Sequence, residues 1–169
     1  MGVDITVHIL KYNEEDNFFH KLKLYTKEKG EYKSVLVYEG RNYDLFSALK
    51  NEKDDVEGYG HFPNSPIRMN SIEPKLREEI EKDKEYCFGF CETSLADMRY
   101  YVSQHPKVVD YDAEWDDDTF GKPFEEKPLM TNPIKYFYDD ICNYIHFADW
   151  EFDFIDKLSD YKIIYYFDC

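Results

Sequence analysis

The segment Gly40-Arg41-Asn42-Tyr43-Asp44 places a guanidinium, an amide, an aromatic ring and a carboxylate within five positions. Together these groups suit a nucleotide. The guanidinium meets a phosphate, the amide and carboxylate meet ribose or base edges, and the ring stacks. The same residues also have a structural use, in which Asn42 caps a helix, Tyr43 and Phe46 enter the core and Arg41 pairs with Asp44. A second group is carried by the first strand-like run, where the period of two puts Asp4, Thr6 and His8 on one face. Asp4, His8 and Asp168 lie on runs near the two ends of the chain, and a metal would be sought there. Arg68 and Arg99 are further cations for an anionic ligand. His61 and His105 sit in or beside expected loops and have the chemistry of general bases.

Other chemistries lack their motifs. No nucleophile elbow, phosphate-cradling loop, zinc-protease motif or paired-histidine constellation occurs. Gly58-Tyr59-Gly60-His61 has two glycines but not the strand-to-helix setting of a dinucleotide loop. Cys87 and Cys91 are four apart, Cys142 and Cys169 are distant, and no C-x-x-C spacing occurs, so neither a disulfide framework nor a zinc site is indicated. No catalytic residue, metal ligand set or cofactor is assigned. The ligand-binding set is Asp4, His8, Arg41, Asn42, Tyr43, Asp44, Arg68 and Arg99.

These residues must be positioned by elements that the hydrophobic pattern reveals. Val3 to Leu10, Phe18 to Thr26 and Tyr32 to Tyr38 read as three strands joined by turn-rich, charged connections. Val3, Ile5, Val7 and Ile9 form the apolar face of the first, leaving its opposite face polar. A short helix capped near Asn42 precedes a polar loop from Asn51 to Pro66. Ile72, Leu76 and Ile80 then mark a surface helix over residues 73–84, with Glu73–Arg77 and Glu78–Lys82 as i,i+4 pairs. Tyr86 to Phe90 is extended. Thr93 or Ser94 caps a helix whose stripe is Leu95, Met98 and Val102. Residues 107–130 make a connection long enough to be a functional flap. Thr131-Asn132-Pro133 starts a helix with Ile134, Phe137, Ile141, Ile145 and Ala148 on one buried face. Tyr161 to Phe167 is the last strand, expected in the same sheet as the first. Residues 1–169 thus read as a single α+β domain, a largely antiparallel sheet with helices mainly on one face.

Composition narrows the partners. The 169 residues hold 21 Lys and Arg against 36 Asp and Glu, a net charge of −15, which disfavours direct binding to nucleic acid or to an anionic membrane. Sixteen Tyr, thirteen Phe and two Trp are enough to build both a core and ligand walls. No run is apolar enough to span a bilayer, and the first residues lack a signal-peptide pattern, so a reduced cytoplasmic setting is expected. Met1 to Thr6 formally fits an N-myristoylation pattern, but the alternation through Leu10 reads as a strand. Asp110, Asp112, Glu114, Asp116, Asp117 and Asp118 surround Trp115 and would suit a basic protein partner. Self-association is left open.

Three islands carry a resemblance: Met1-Gly2-Val3-Asp4-Ile5, Arg41-Asn42-Tyr43-Asp44-Leu45-Phe46 and Ile163-Ile164-Tyr165-Tyr166-Phe167-Asp168. In this order they resemble a family of small, largely uncharacterised phage and bacterial proteins. Those proteins begin Met-Gly-Cys-Asp-Ile-His, carry an Arg-(Asn/Asp)-Tyr-Asp-Leu-Phe segment and end on a Phe-Asp strand. Here Val3 replaces the cysteine and Thr6 the histidine, with His8 two residues on. The loss points to a site that binds rather than cleaves. With the aromatic content, the resemblance implies a phage-type counter-defence protein that sequesters a small nucleotide-derived immune signal. The alternatives are an acidic, nucleic-acid-mimicking inhibitor of a host defence protein and a small nucleotide hydrolase.

Overall fold

A computed structural model describes residues 4–53, 56–110, 113, 121–152 and 157–168. The alternation of the first residues runs on to form β1 (Asp4–Asn13), which turns back through a hairpin into β2 (Phe18–Lys21). A separate hairpin follows, β3 (Tyr25–Glu28) and β4 (Glu31–Ser34), exposed along both strands. Next come α1 (Tyr43–Leu49), α2 (Pro74–Asp83), β5 (Cys87–Ser94) and α3 (Leu95–Gln104). The small pair β6 (Lys107–Val109) and β7 (Leu129–Thr131) leads into α4 (Pro133–Ala148), and β8 (Tyr161–Asp168) closes the fold.

The main sheet is antiparallel with strand order β2-β1-β8-β5. β8 is therefore interior, and it pairs with β1 from Asp4↔Asp168 to Lys11↔Tyr161. The expectation that the first and last strands share a sheet holds. Gly89 makes the bulge that shifts the β5–β8 register between Phe88 and Cys91. Its φ is +72°, and a Cβ there would sit 2.7 Å from the Phe167 ring.

Three helices cover one face. Ile5, Ile9, Ile163, Tyr165 and Phe167 meet Leu45 and Leu49 of α1, Leu95 and Met98 of α3, and Ile134, Phe137, Ile141 and Ile145 of α4. The other face is not the polar surface its sequence suggests. Leu10, Ile164 and Tyr166 pack there with Ile72 and with Leu76 and Ile80 of α2, and His8 is buried on the same side. A strand carrying polar residues on alternate positions is thus covered on both faces, because the Leu76–Ile80 stripe of α2 needs an apolar floor.

Helix starts follow local chemistry. The Asn42 side chain accepts the Leu45 N–H, Ser94 accepts that of Asp97 and Asn132 that of Ile134. The expected Glu73–Arg77 pair is replaced: Glu73 binds His20 Nδ1 at 2.7 Å, and Arg77 Nη2 donates to the Ile72 carbonyl at 2.8 Å.

The second and third strands are shorter than the pattern suggests. The run from Phe18 breaks at Leu22–Leu24, and the third strand ends at Ser34, leaving Val35–Gly40 without strand pairing. The cause of the first break is distant in sequence. The Tyr144 hydroxyl on α4 accepts the Leu24 N–H at 3.1 Å and donates to the Leu22 carbonyl at 3.5 Å, holding the chain away from β1.

Candidate functional site

The arginine-bearing segment is used structurally in most of its positions. Asn42 caps α1. Asp44 takes Lys53 Nζ at 2.8 Å, not Arg41. Arg41 Nε instead donates to Asp4 Oδ1 at 2.8 Å, with both side chains more than half exposed. Tyr43 is exposed rather than in the core, whereas Phe46 packs edge-on against Phe167, with ring centroids 4.6 Å apart. Arg68 is elsewhere, its backbone N–H on the buried Glu92 carboxylate, which also holds Lys162 at 3.2 Å. Arg99 is on the exposed side of α3, near Tyr138 and Cys142. The three arginines do not converge.

Asp4 and Asp168 face each other across β1 and β8, with His8 four residues along. Among the described residues no group of three or more His, Cys, Asp or Glu is placed to hold a metal. Cys87, Cys91 and Cys142 are free thiols. His105 Nδ1 lies 3.0 Å from the Gly58 carbonyl. Of the acidic run from Asp110 to Asp118, only Asp110 and Ala113 are among the described residues, so the proposed basic-partner surface lies outside them. So do Met1 and Gly2.

The structure does bring together a different set. Where the chain leaves β1 after Leu22, a cavity of about 680 Å³ opens beside residues 4–8. Its walls are this stretch of β1, the turn at Lys21–Lys23, the segment Val35–Gly40 and residues 73–79 at the start of α2. Tyr25, Tyr38 and Tyr144 supply rings, and Lys21, Lys23 and Lys75 supply cations. Lys21 lies 3.6 Å from Glu79. The volume is in the range of small-molecule sites. Asp4 and His8 line it; Arg41, Asn42, Tyr43, Asp44, Arg68 and Arg99 do not. The lysines and tyrosines escaped sequence reading because no local pattern joins residues 21–25, 38, 75 and 144.

His8 connects the cavity to a buried chain of hydrogen bonds. Its Nε2 is 2.8 Å from the Tyr166 hydroxyl, and that hydroxyl donates to the Asp83 carboxylate at the end of α2. A phenol has one proton, so with Asp83 as acceptor the His8 Nε2 must be the donor and Nδ1 carries a bare lone pair. Nδ1 has no partner. Burial, with a smaller effect from the Lys21 charge, lowers the His8 pKa to about 3. Burial and the Asp83 carboxylate push the Tyr166 phenol well above its usual range.

The sign of the resulting pH dependence is defined. An unfolded histidine titrates near 6.5, so between about pH 6.5 and 3 the unfolded chain binds a proton that the folded chain does not. This contribution to stability is complete above about pH 6.5 and is lost as the pH falls, by up to about 1.4 kcal/mol per pH unit. Thermal unfolding at pH 7, 6 and 5 is expected to show a steeper decline for the wild type than for His8→Gln. Parallel declines would show that His8 is not held neutral.

The fold and cavity together define the protein's class: an α+β domain with a ligand-sized cavity at an uncovered edge of its central sheet. Comparison with family models, with curated proteins and with solved structures gives no significant match. No helix among the described residues is long and apolar enough to cross a membrane.

Proposed function

We propose that the chain binds and sequesters a small nucleotide-derived ligand in the cavity beside β1. The observation that carries this reading is the cavity itself, about 680 Å³ with tyrosine rings and lysines in its walls. Rings suit a base and ammonium groups suit a phosphate. Lys23 and Lys75 make no ion pair among the described residues, so both cations are available to a phosphate. They would have to hold it by direct contact against four carboxylates of the same wall, Asp4, Glu39, Glu73 and Glu79, and a net charge of −15. Set beside the resemblance to phage and bacterial proteins, such capture would withdraw an immune signal from its host receptor.

The test is to incubate the purified protein with a panel of linear and cyclic nucleotides, remove free ligand, and release bound material by heat. Recovery of intact nucleotide is expected. Recovery of a cleaved product would make the protein a hydrolase, and failure to retain any member of the panel would overturn the reading.

A further inference from the structure

The cavity wall on the β1 side consists of backbone as well as side chains, and its hydrogen-bonding direction is fixed. Leu22 N–H donates to Ile9 C=O at 2.8 Å, so the main-chain groups of Ile9 point away from β8 and toward the β2 side. On an extended strand alternate residues point the same way, which directs the N–H and C=O of Ile5 and Val7 to that side too. β2 does not reach them. Its pairing with β1 covers Leu10 to Asn13, and the Leu22 bond to Ile9 is the last before Tyr144 diverts the chain.

Residues 5–8 line the cavity at this point, and among the described residues no donor or acceptor meets the cavity-side groups of Ile5 and Val7. Ile5 is buried and Val7 half-buried. Main-chain groups in such surroundings are ordinarily paired, and leaving one unpaired is costly. An open strand edge is usually covered by another strand. Here the edge faces a space of small-molecule size.

The C=O of Ile5 and the N–H of Val7 flank Thr6 and lie side by side on this edge. An acceptor and a donor so placed on an extended chain match a planar ring that carries a donor and an acceptor on adjacent atoms. Adenine has this arrangement in its amino group and N1. Building on the capture reading, we infer that the ligand carries an adenine-type base recognised by the β1 main chain, its amino group donating to Ile5 C=O and its ring nitrogen accepting from Val7 N–H. The lysines at the cavity take the phosphate. Specificity for the base then resides in main-chain geometry that side-chain substitution leaves intact. For that reason the sequence carries no motif for it.

The experiment measures binding of AMP, N6,N6-dimethyl-AMP, GMP and ribose 5-phosphate by calorimetry, with wild-type protein and with Val7→Pro. Proline removes the N–H on the cavity side without breaking a bond to β8, since that N–H points away from β8. AMP is expected to bind at least tenfold more tightly than the dimethylated, guanine and base-free compounds, and Val7→Pro is expected to remove that advantage. If dimethyl-AMP or ribose 5-phosphate binds as well as AMP, or GMP better, base recognition by β1 is overturned while capture stands. If none binds and the wider nucleotide panel is also not retained, the capture reading itself falls. Should Val7→Pro fail to fold, the ¹⁵N amide spectrum of the wild type decides. A large AMP-dependent shift and slowed exchange of the Val7 N–H are expected, and an unmoved Val7 resonance at saturating AMP overturns the inference.

Discussion

Removal of residues 161–169 is expected to abolish folding rather than shorten the domain. β8 is bonded to β1 on one side and β5 on the other, so its loss strands main-chain groups on both neighbours. It also empties both layers of the core at once. Ile163, Tyr165 and Phe167 leave the three-helix side, while Ile164 and Tyr166 leave the α2 side, and all five are fully buried. At about 1.5–3 kcal/mol per large buried side chain, the loss is comparable to the whole stability of a typical domain, about 5–15 kcal/mol. Circular dichroism of the truncated chain should show no cooperative thermal transition. A sharp transition within a few degrees of the wild type would contradict the interior placement of β8.

Asn132→Ala is expected to have the largest effect of any single polar truncation. The side chain is completely buried and makes three contacts. Its Oδ1 accepts the Ile134 N–H at 3.0 Å, capping α4, while Nδ2 donates to the Tyr101 hydroxyl at 3.1 Å and to the His105 carbonyl at 3.0 Å. Alanine removes the cap, worth about 1 kcal/mol, and leaves a buried partner unsatisfied at about 1–3 kcal/mol. The sum is roughly 2–4 kcal/mol, since Tyr101 keeps its bond to the Tyr59 carbonyl at 2.7 Å and only the His105 carbonyl is orphaned. For a chain of this size that lowers the melting temperature by roughly 4–16 °C. Calorimetry should show a fall of this order; a fall below about 2 °C would mean that the three bonds contribute little. Asn132→Asp retains the cap but buries an unpaired carboxylate against the His105 carbonyl, and at neutral pH should be at least as destabilising as alanine.

What could be read from the sequence was local. The caps at Asn42, Ser94 and Asn132, the stripe on α4 and the alternation of β1 each depend on residues within a few turns or positions, and each occupies its expected place. The pairing of the two terminal strands was legible from their shared β-rich composition. What escaped depends on distant contacts. The polar residues of β1 read as a solvated face, because nothing near them announces that α2 will cover it. The break after Leu22 is made by Tyr144, more than a hundred residues away. Without that break the cavity would not exist, so no local rule could have found its lysines and tyrosines. Arg41, expected either in a ligand site or paired with Asp44, instead bonds the exposed Asp4 at the rim of the cavity without lining it.

The pairing of Asp4 with Asp168 also has a consequence for how the protein is made. β8 is synthesised after every other described element, yet it lies between β1 and β5 and separates them. On the ribosome β1 can form its hairpin with β2, and α1, α2 and α3 can form their turns, but the sheet has no centre until β8 emerges. Until then Ile5, Ile9 and Leu10, with the apolar stripes of the helices, have no floor to pack on. Contacts spanning nearly the whole chain form slowly, and the waiting intermediate exposes strand edges and apolar surface. The nascent chain should therefore be a good substrate for holding chaperones, and pauses in translation before Tyr161 should lower the yield of folded protein more than pauses elsewhere.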